Sequence, residues 1–204
     1  RGELVNKNYS KFKLSFPSSN REYLNKDELT RINSLDFSHN KPLDAVRDIF
    51  MFSCYTGLRF CDAMELSLED IMMINDEQHI RVDQIKTNER REIPLLTPAI
   101  GIINKYNSAH FRLIKHKILP SYSNQRVNIY LKVIAAQAGI NKNLTHHIAR
   151  HTCATTILLD NNVPIEVVSH WLGHTNIKTT QIYAKISHTK LQNQSQRLNQ
   201  IISI

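Results

Sequence analysis

A chain of 204 residues, 41% of them hydrophobic, is long enough for one domain with a sizeable buried core. Its 5 glycines and 6 prolines are too few for the many turns of a β-sandwich or for a low-complexity chain. The net charge of +8 makes a polyanion such as nucleic acid the first partner to consider, although a basic surface without any partner would carry the same charge.

Helix signals recur along most of the chain, either as apolar residues at steps of three and four or as capping residues. Residues 1–20 are polar and predict the end of a linker. One helix is predicted to begin at Asn25, a second to extend from 41 to 57, and a third to begin near Asp62. Further helices are predicted over 97–106, 123–138, 146–159, 164–172 and 177–183.

One segment favours β structure. Residues 79–85 are β-prone, residues 87–90 indicate a turn, and residues 91–95 indicate a second strand. The sequence therefore predicts an α+β fold that is mostly α, in one domain with a small antiparallel β-sheet.

The three cysteines, Cys54, Cys61 and Cys153, are an odd number and lie in apolar stretches. We interpret them as buried, reduced thiols of a cytoplasmic protein. No apolar run approaches the roughly 18 residues that a membrane span requires, and no signal peptide opens the sequence, so no membrane partner is expected.

Several polar residues that could carry chemistry also admit ordinary structural roles. Arg59 follows a Gly-Leu turn, where a cation favours the C-terminal end of the preceding helix. Asp62 lies at helical spacing from it and could pair with it. Tyr183, between Ile182 and Ala184, would suit a half-buried packing position.

Two pairs of histidines are spaced as i and i+4 on a helix, namely His147 with His151 and His170 with His174. Two such pairs could build a zinc site. The first pair lacks the glutamate of the His-Glu-x-x-His zinc proteases, and Arg150 between its members would repel a dication. Taken singly, each histidine is typical of a surface or core position. Zinc chemistry is therefore the weaker interpretation.

A phosphodiester substrate explains more of these residues at once. Attack on a phosphodiester builds negative charge on its nonbridging oxygens, which arginine forks bind bidentately. A nucleophilic hydroxyl needs a base, and the departing oxygen needs a proton. The chain supplies each residue type at Arg59, Lys86, His147, Arg150, His174 and Tyr183.

The order and spacing of these residues resemble the sequence boxes of the tyrosine recombinase (phage integrase) family. The matching boxes are Thr56-Gly-Leu-Arg59-x-x-Asp62, the hairpin Lys86, His147-x-x-Arg150-His-Thr, Leu172-Gly173-His174 and Tyr183, and the match spans 21–185. Ala149 replaces the leucine that is common before the second arginine, and Asp62 replaces the more usual glutamate. Neither departure removes a catalytic group.

The resemblance implies a mechanism in which a tyrosine attacks DNA. Tyr183 would form a 3′-phosphotyrosyl link and release a free 5′-hydroxyl. The implied supporting roles are phosphate binding by Arg59, Arg150 and His174, protonation of the leaving oxygen by Lys86, handling of the tyrosine proton by His147, and bracing of Arg59 by Asp62. Neither a metal nor ATP would be needed, because the phosphotyrosine stores the bond.

The resemblance also implies a domain organisation and partners. Residues 1–20 would be a linker from an N-terminal core-binding domain, 21–187 the catalytic domain, and 188–204 a tail that is either exchanged between protomers or folded back over its own core. In this tail, one helical face carries the apolar residues Leu191, Leu198, Ile201 and Ile202. The implied partners are double-stranded DNA, further copies of the chain in a tetramer on paired sites, and DNA-bending accessory proteins. The implied location is the nucleoid of a prokaryotic cytoplasm, and the gene would belong to a mobile element.

Two other functions stay open at this point. A type IB topoisomerase-like relaxase would use similar chemistry on a single duplex, and a DNA-binding module could have lost catalysis. The Leu-Gly-His-Thr box and the late Ile-Tyr pair favour the recombinase over the relaxase. The complete set of catalytic residue types argues against the silent module.

Overall fold

The computed structural model of the chain describes residues 22–83, 90–107, 117–184, 195–196, 198–200 and 202. Its helices are α1 (Lys26–Asn33), α2 (Lys41–Thr56), α3 (Phe60–Glu65), α4 (Thr97–Tyr106), α5 (Asn124–Gln137), α6 (His146–Thr152), α7 (Ile165–Leu172) and α8 (Lys178–Gln181). Its strands are β1 (Ile71–Ile74), β2 (Glu77–Asp83) and β3 (Arg90–Pro94). A short 3₁₀ turn, Leu68–Asp70, leads into β1. The predicted α+β fold with a small sheet is confirmed.

Local capping chemistry accounts for several helix ends. Asn25 and Glu28 form a reciprocal capping box at the start of α1, as predicted. Ser123 caps α5 through a hydrogen bond to the backbone of the third residue beyond it. Gly57 ends α2 in the left-handed region at φ 71°, and Gly173 ends α7 in the same way.

The three strands pair in the order β1-β2-β3, and both pairings are antiparallel. The predicted hairpin corresponds to β2 and β3. The sequence analysis missed β1, which joins β2 through Asn75 and Asp76, both at positive φ. Asparagine and aspartate tolerate that conformation, which two-residue hairpin turns require.

Helix α2 lies between the two largest hydrophobic clusters of the domain. Val46, Phe50 and Cys54 on one face pack with residues of α1, α5 and α6. Ile49 and Phe52 on the other face pack with residues of the sheet and α4. This central helix therefore fixes the position of its own C-terminal end, where the segment that carries Arg59 begins.

Three predicted features of the C-terminal half were wrong in detail. The helix predicted over 146–159 divides into α6, a π-helical segment at Cys153–Leu158 and a 3₁₀ turn at Leu159–Asn161. Pro164 precedes the first residue of α7 instead of occupying it. The helix predicted over 177–183 covers only Lys178–Gln181 as α8.

Among the three cysteines, Cys54 and Cys153 are buried free thiols, as predicted. Cys61 is also a free thiol, but it is exposed, because it lies at the start of α3 on the wall of a cleft. None of the helices in the part of the chain described above is long and apolar enough to cross a membrane. The predicted linker 1–20, Lys86 and most of the tail 188–204 lie outside the described residues.

Candidate active site

The C-terminal end of α2 packs tightly against two later segments. A Cβ atom added at Gly57 would lie 2.7 Å from Cδ2 of Leu172 and 3.1 Å from Sγ of Cys153. A glycine at this position therefore permits both the left-handed turn and the close approach of α7. The turn brings residues 57–59 beside the start of α6 and the end of α7.

Arg150 on α6 bridges these segments. It is 4% exposed. Its Nη1 donates to the carbonyl oxygen of Gly57 at 2.7 Å, and its Nη2 donates to that of Leu172 at 2.6 Å. Burial first, and then the charge of Arg59, lower the pKa of Arg150 from 12.5 to about 10, while Tyr183 acts in the opposite direction. The guanidinium is therefore charged at neutral pH and held at both of its terminal nitrogens.

Arg59 is half-buried and stands in extended conformation directly before α3. It borders a cleft of ≈ 470 Å³ between the starts of α3, α5 and α6. The cleft is lined by Leu58, Arg59, Phe60, Cys61, Asn124, Asn128, Thr145, His146, His147 and Arg150. The two arginines predicted to bind one phosphate thus share one cleft.

Tyr183 lies two residues after the end of α8, and two histidines contact it. Its hydroxyl is 2.8 Å from Nδ1 of His151. The ring of His174 stacks on its ring, with 6.5 Å between the centroids. Nδ1 of His174 is in turn 2.8 Å from the buried hydroxyl of Thr180. The fold therefore places the predicted nucleophile beside a histidine whose ring orientation is fixed.

His151 is a site residue that the sequence analysis did not select. It is 5% exposed, whereas His147 is exposed and lines the cleft. The two rings meet edge to face with 4.4 Å between centroids. The sequence offered one signal, since His151 follows Arg150 directly and lies one helical turn after His147. Only the folded chain shows that His151 lies within hydrogen-bond distance of the Tyr183 hydroxyl.

Asp62 and Arg91 place further buried charge beside the two arginines. Each of these side chains is 5% exposed. The negative charge of Asp62 raises the pKa of both Arg91 and Arg150, against the larger effect of their burial. Arg91 was another residue that the sequence analysis assigned only to a strand. The sequence feature that could have identified Arg91 was a charged residue on the same face of β3 as Ile93, the face that packs on the core.

His146 lies in the wall of the cleft as a buried neutral histidine. Its Nε2 is 2.9 Å from the hydroxyl of Ser53, and its backbone N–H donates to Asn128 Oδ1 at 2.8 Å. Burial first, and then the charge of His147, lower its pKa from 6.5 to about 4. The hydrogen bonds of His146 therefore hold the cleft wall in place through a side chain that stays unprotonated at neutral pH.

We expect acid to destabilise the domain through His146. Between pH 6.5 and 4 the unfolded chain binds a proton at this residue that the folded chain does not, so the free energy of unfolding falls as the pH falls. One pKa unit corresponds to ~1.4 kcal/mol, which makes the full loss about 3 kcal/mol. Urea unfolding at pH 7 and pH 4.5 should show a smaller loss for His146→Gln than for the wild type. Equal losses would contradict this assignment.

Comparison with known proteins adds to this geometry. The sequence pattern of the Phage integrase family matches residues 22–190. Tyrosine recombinase XerD of Lacticaseibacillus casei is 33% identical over 167 residues, which cover 74% of this chain and 54% of that protein. Tyrosine recombinase XerD of Staphylococcus haemolyticus is 30% identical over 147 residues, which cover 67% of this chain and 48% of that protein. The chain spans about half the length of the curated relatives it matches.

Solved structures with similar folds include the XerA recombinase, with a TM-score of 0.68 and 24% identity over 87% of this chain and 65% of that one. A lambda integrase (75–356) dimer bound to a COC′ core site gives a TM-score of 0.62 and 22% identity, over 82% of this chain and 60% of that one. At these identities the likeness concerns the fold.

Proposed function

The chain belongs to the phage integrase family, and on that basis we propose that it is the catalytic domain of a site-specific DNA recombinase that cuts and rejoins DNA through a 3′-phosphotyrosyl intermediate. One observation carries the proposal. The hydroxyl of Tyr183 hydrogen-bonds to His151 at 2.8 Å, and Tyr183 stands beside His174 and within electrostatic reach of the anchored Arg150. A nucleophile, a base and a phosphate-binding cation thus meet at one point.

Arg150 and Arg59 bind the nonbridging oxygens of the scissile phosphate in this proposal. A guanidinium has five N–H donors, and the bonds to Gly57 and Leu172 use two of those on Arg150. The other donors can therefore face a phosphate from a fixed position, which stabilises the transition state without reorganisation. The negative charge of Asp62 offsets part of the positive charge of this cluster.

Proton transfer from Tyr183 is assigned to His151. As the Oη–phosphorus bond forms and the bond to the 5′-oxygen breaks, Nδ1 of His151 accepts the tyrosine proton across the existing 2.8 Å contact. We therefore move the role expected for His147 to His151, and keep His147 as a contact to the DNA phosphate from the cleft wall. The bond of His174 Nδ1 to Thr180 orients its ring, and we assign its Nε2 to a phosphate oxygen.

Lys86 stays the proposed general acid for the leaving 5′-oxygen. It lies outside the described residues, between the end of β2 at Asp83 and the start of β3 at Arg90. Its place in the chain between two paired strands, the second of which carries the buried Arg91, supports the proposal. No metal and no ATP enter this scheme.

Double-stranded DNA is the proposed substrate, and a tetramer on paired sites the proposed assembly, with DNA-bending proteins as accessory partners. The XerH recombinase, a similar fold with a TM-score of 0.66, was solved bound to a difH substrate. In the tail, Leu198 and Ile202 are 52% and 62% exposed. Such exposed apolar side chains support docking of residues 188–204 on a neighbouring copy; Leu191 and Ile201 lie outside the described residues.

Incubation with candidate sites from the DNA flanking the gene tests the proposal. We expect a covalent adduct that survives denaturant on nicked duplexes and exchange of strands between two sites on one plasmid, both in excess chelator. Relaxation of supercoiled plasmids that lack a candidate site, at the rate measured for plasmids that carry one, would instead identify a topoisomerase-like relaxase. Duplex binding without any adduct would identify a silent DNA-binding module.

A further inference from the structure

Strand β3 buries a positive charge. Arg91 pairs with Val82 across the antiparallel ladder and shares the inner face of the sheet with Ile80 and Ile93. All of these side chains are buried, and Arg91 itself is only 5% exposed. A guanidinium is almost never buried in a sheet face without a compensating partner, because its desolvation is unfavourable.

The one hydrogen bond described for Arg91 leads to the active site. Its Nη1 donates to the carbonyl oxygen of Trp171 at 2.8 Å. Arg150 donates to the carbonyl oxygen of Leu172, the next residue, at 2.6 Å. Because consecutive Cα atoms are about 3.8 Å apart, the two guanidinium groups are neighbours at the end of α7. The last carbonyls of a helix carry partial negative charge, which favours cations there.

The charges of this cluster do not balance among the described residues. Nε and Nη2 of Arg91 have no hydrogen-bond partner among these residues, and neither has Oδ2 of Asp62. Burial first, and then the charge of Arg150, lower the pKa of Arg91 from 12.5 to about 10, so it is still protonated at neutral pH. Two buried arginines, Arg91 and Arg150, thus face one carboxylate among the described residues, that of Asp62. Such an arrangement is unfavourable until an anion joins it.

From this geometry we propose that Arg91 supplies a third positive charge to the phosphate-binding centre, set behind Arg150 on the end of α7. The inference rests on the proposed function, since it takes the anion to be the scissile phosphodiester. Arg91 stabilises the charge that develops on the nonbridging oxygens through its field and through the position of Arg150. It does so without any described contact with the cleft.

The test compares Arg91→Gln and Arg91→Lys with the wild type in single-turnover cleavage of a nicked duplex. Lysine keeps the charge and glutamine removes it, while either side chain can donate to the Trp171 carbonyl. We expect Arg91→Gln to slow cleavage by about 10-fold to 100-fold, by analogy with the loss of a group that orients a metal ligand from behind. Arg91→Lys should stay closer to the wild type.

A second substrate separates charge from structure. A methylphosphonate at the scissile position lacks the negative oxygen, so the difference between the wild type and Arg91→Gln should shrink on it. An equal loss on both substrates would show that Arg91 only supports the fold and would overturn the proposal. If Arg91→Gln does not fold, Arg91→Met replaces it, because methionine is also uncharged and adds no buried polar atom.

Arg31 provides the matched control. Its Nη1 also donates to carbonyl oxygens at a helix end, those of Ala138 and Gly139, but it lies on α1. Arg31→Gln removes the same charge from the chain and should cleave both substrates like the wild type. If the wild type forms no adduct, both the proposed function and this inference are wrong. If the wild type cleaves and Arg91→Gln equals it on the phosphodiester, this inference alone fails.

Discussion

Replacing Tyr183 with phenylalanine is expected to reduce covalent attachment to DNA to background while duplex binding persists. The change removes one oxygen, and with it the 2.8 Å contact to His151 Nδ1. The ring packing against His151 and His174 stays available. Loss of one hydrogen bond lowers the free energy of unfolding by only about 0.5–1.5 kcal/mol. The measurement is adduct formation on a nicked duplex, beside a binding titration of the same variant.

Tyr130→Phe on α5 is the control for this prediction. Its hydroxyl accepts a hydrogen bond from Arg126 at 3.4 Å, so the variant also loses one phenolic oxygen and one contact. It should form the adduct at the rate of the wild type. An adduct with Tyr183→Phe would show that another group attacks the DNA, and the proposed mechanism would then have to be abandoned.

Much of the fold follows from local chemistry, which a sequence displays directly. Asn25 and Glu28 form their capping box within four consecutive residues, and Gly57 ends α2 because few other residues adopt a positive φ. The strand β1 escaped prediction because its turn, Asn75-Asp76, contains no glycine, and because the apolar run Ile71–Ile74 has no alternation.

The division of the helix after Thr152 depends on tertiary contacts. The side chain of Thr152 accepts a hydrogen bond from the backbone of Leu24, and Thr156 donates to the Leu24 carbonyl. These contacts join residues more than 120 positions apart. Thr152 directly precedes the π-helical segment at Cys153–Leu158 and Thr156 lies within it, and helical periodicity alone does not reveal this segment.

The sequence likewise predicted some residues of the candidate site and missed others. The order of Arg59, Arg150, His174 and Tyr183 along the chain was enough to select them, because the resemblance depends on spacing. The hydrogen bonds of Arg150 and the contact of Tyr183 with His151 were not accessible, since they join residues at least 22 positions apart. For this reason His151, which shares a helix with the predicted His147, emerged only when the folded chain placed Tyr183 against it. Arg91 required the register of β3 on β2 and the end of α7.

Replacing Arg150 is expected to slow cleavage more than any other phosphate-binding change, and the choice of replacement decides what is learned. Arg150→Ala leaves the carbonyl oxygens of Gly57 and Leu172 without their donor, at a cost of about 1–3 kcal/mol for each buried group. Part of its loss of activity would therefore come from instability. Arg150→Lys keeps the charge and places three N–H donors on a single nitrogen, but it loses the planar fork.

We expect Arg150→Lys to keep a melting temperature near that of the wild type and to cleave about 10²-fold to 10³-fold more slowly, the effect of losing one oriented donor in the transition state. DNA affinity should fall little, because many other phosphate contacts maintain it. Arg59→Lys serves as the comparison, since Arg59 is only half-buried. Cleavage by Arg150→Lys at the rate of the wild type would show that the centre needs a positive charge behind the phosphate and not the fork, because a lysine ammonium supplies the first and cannot supply the second.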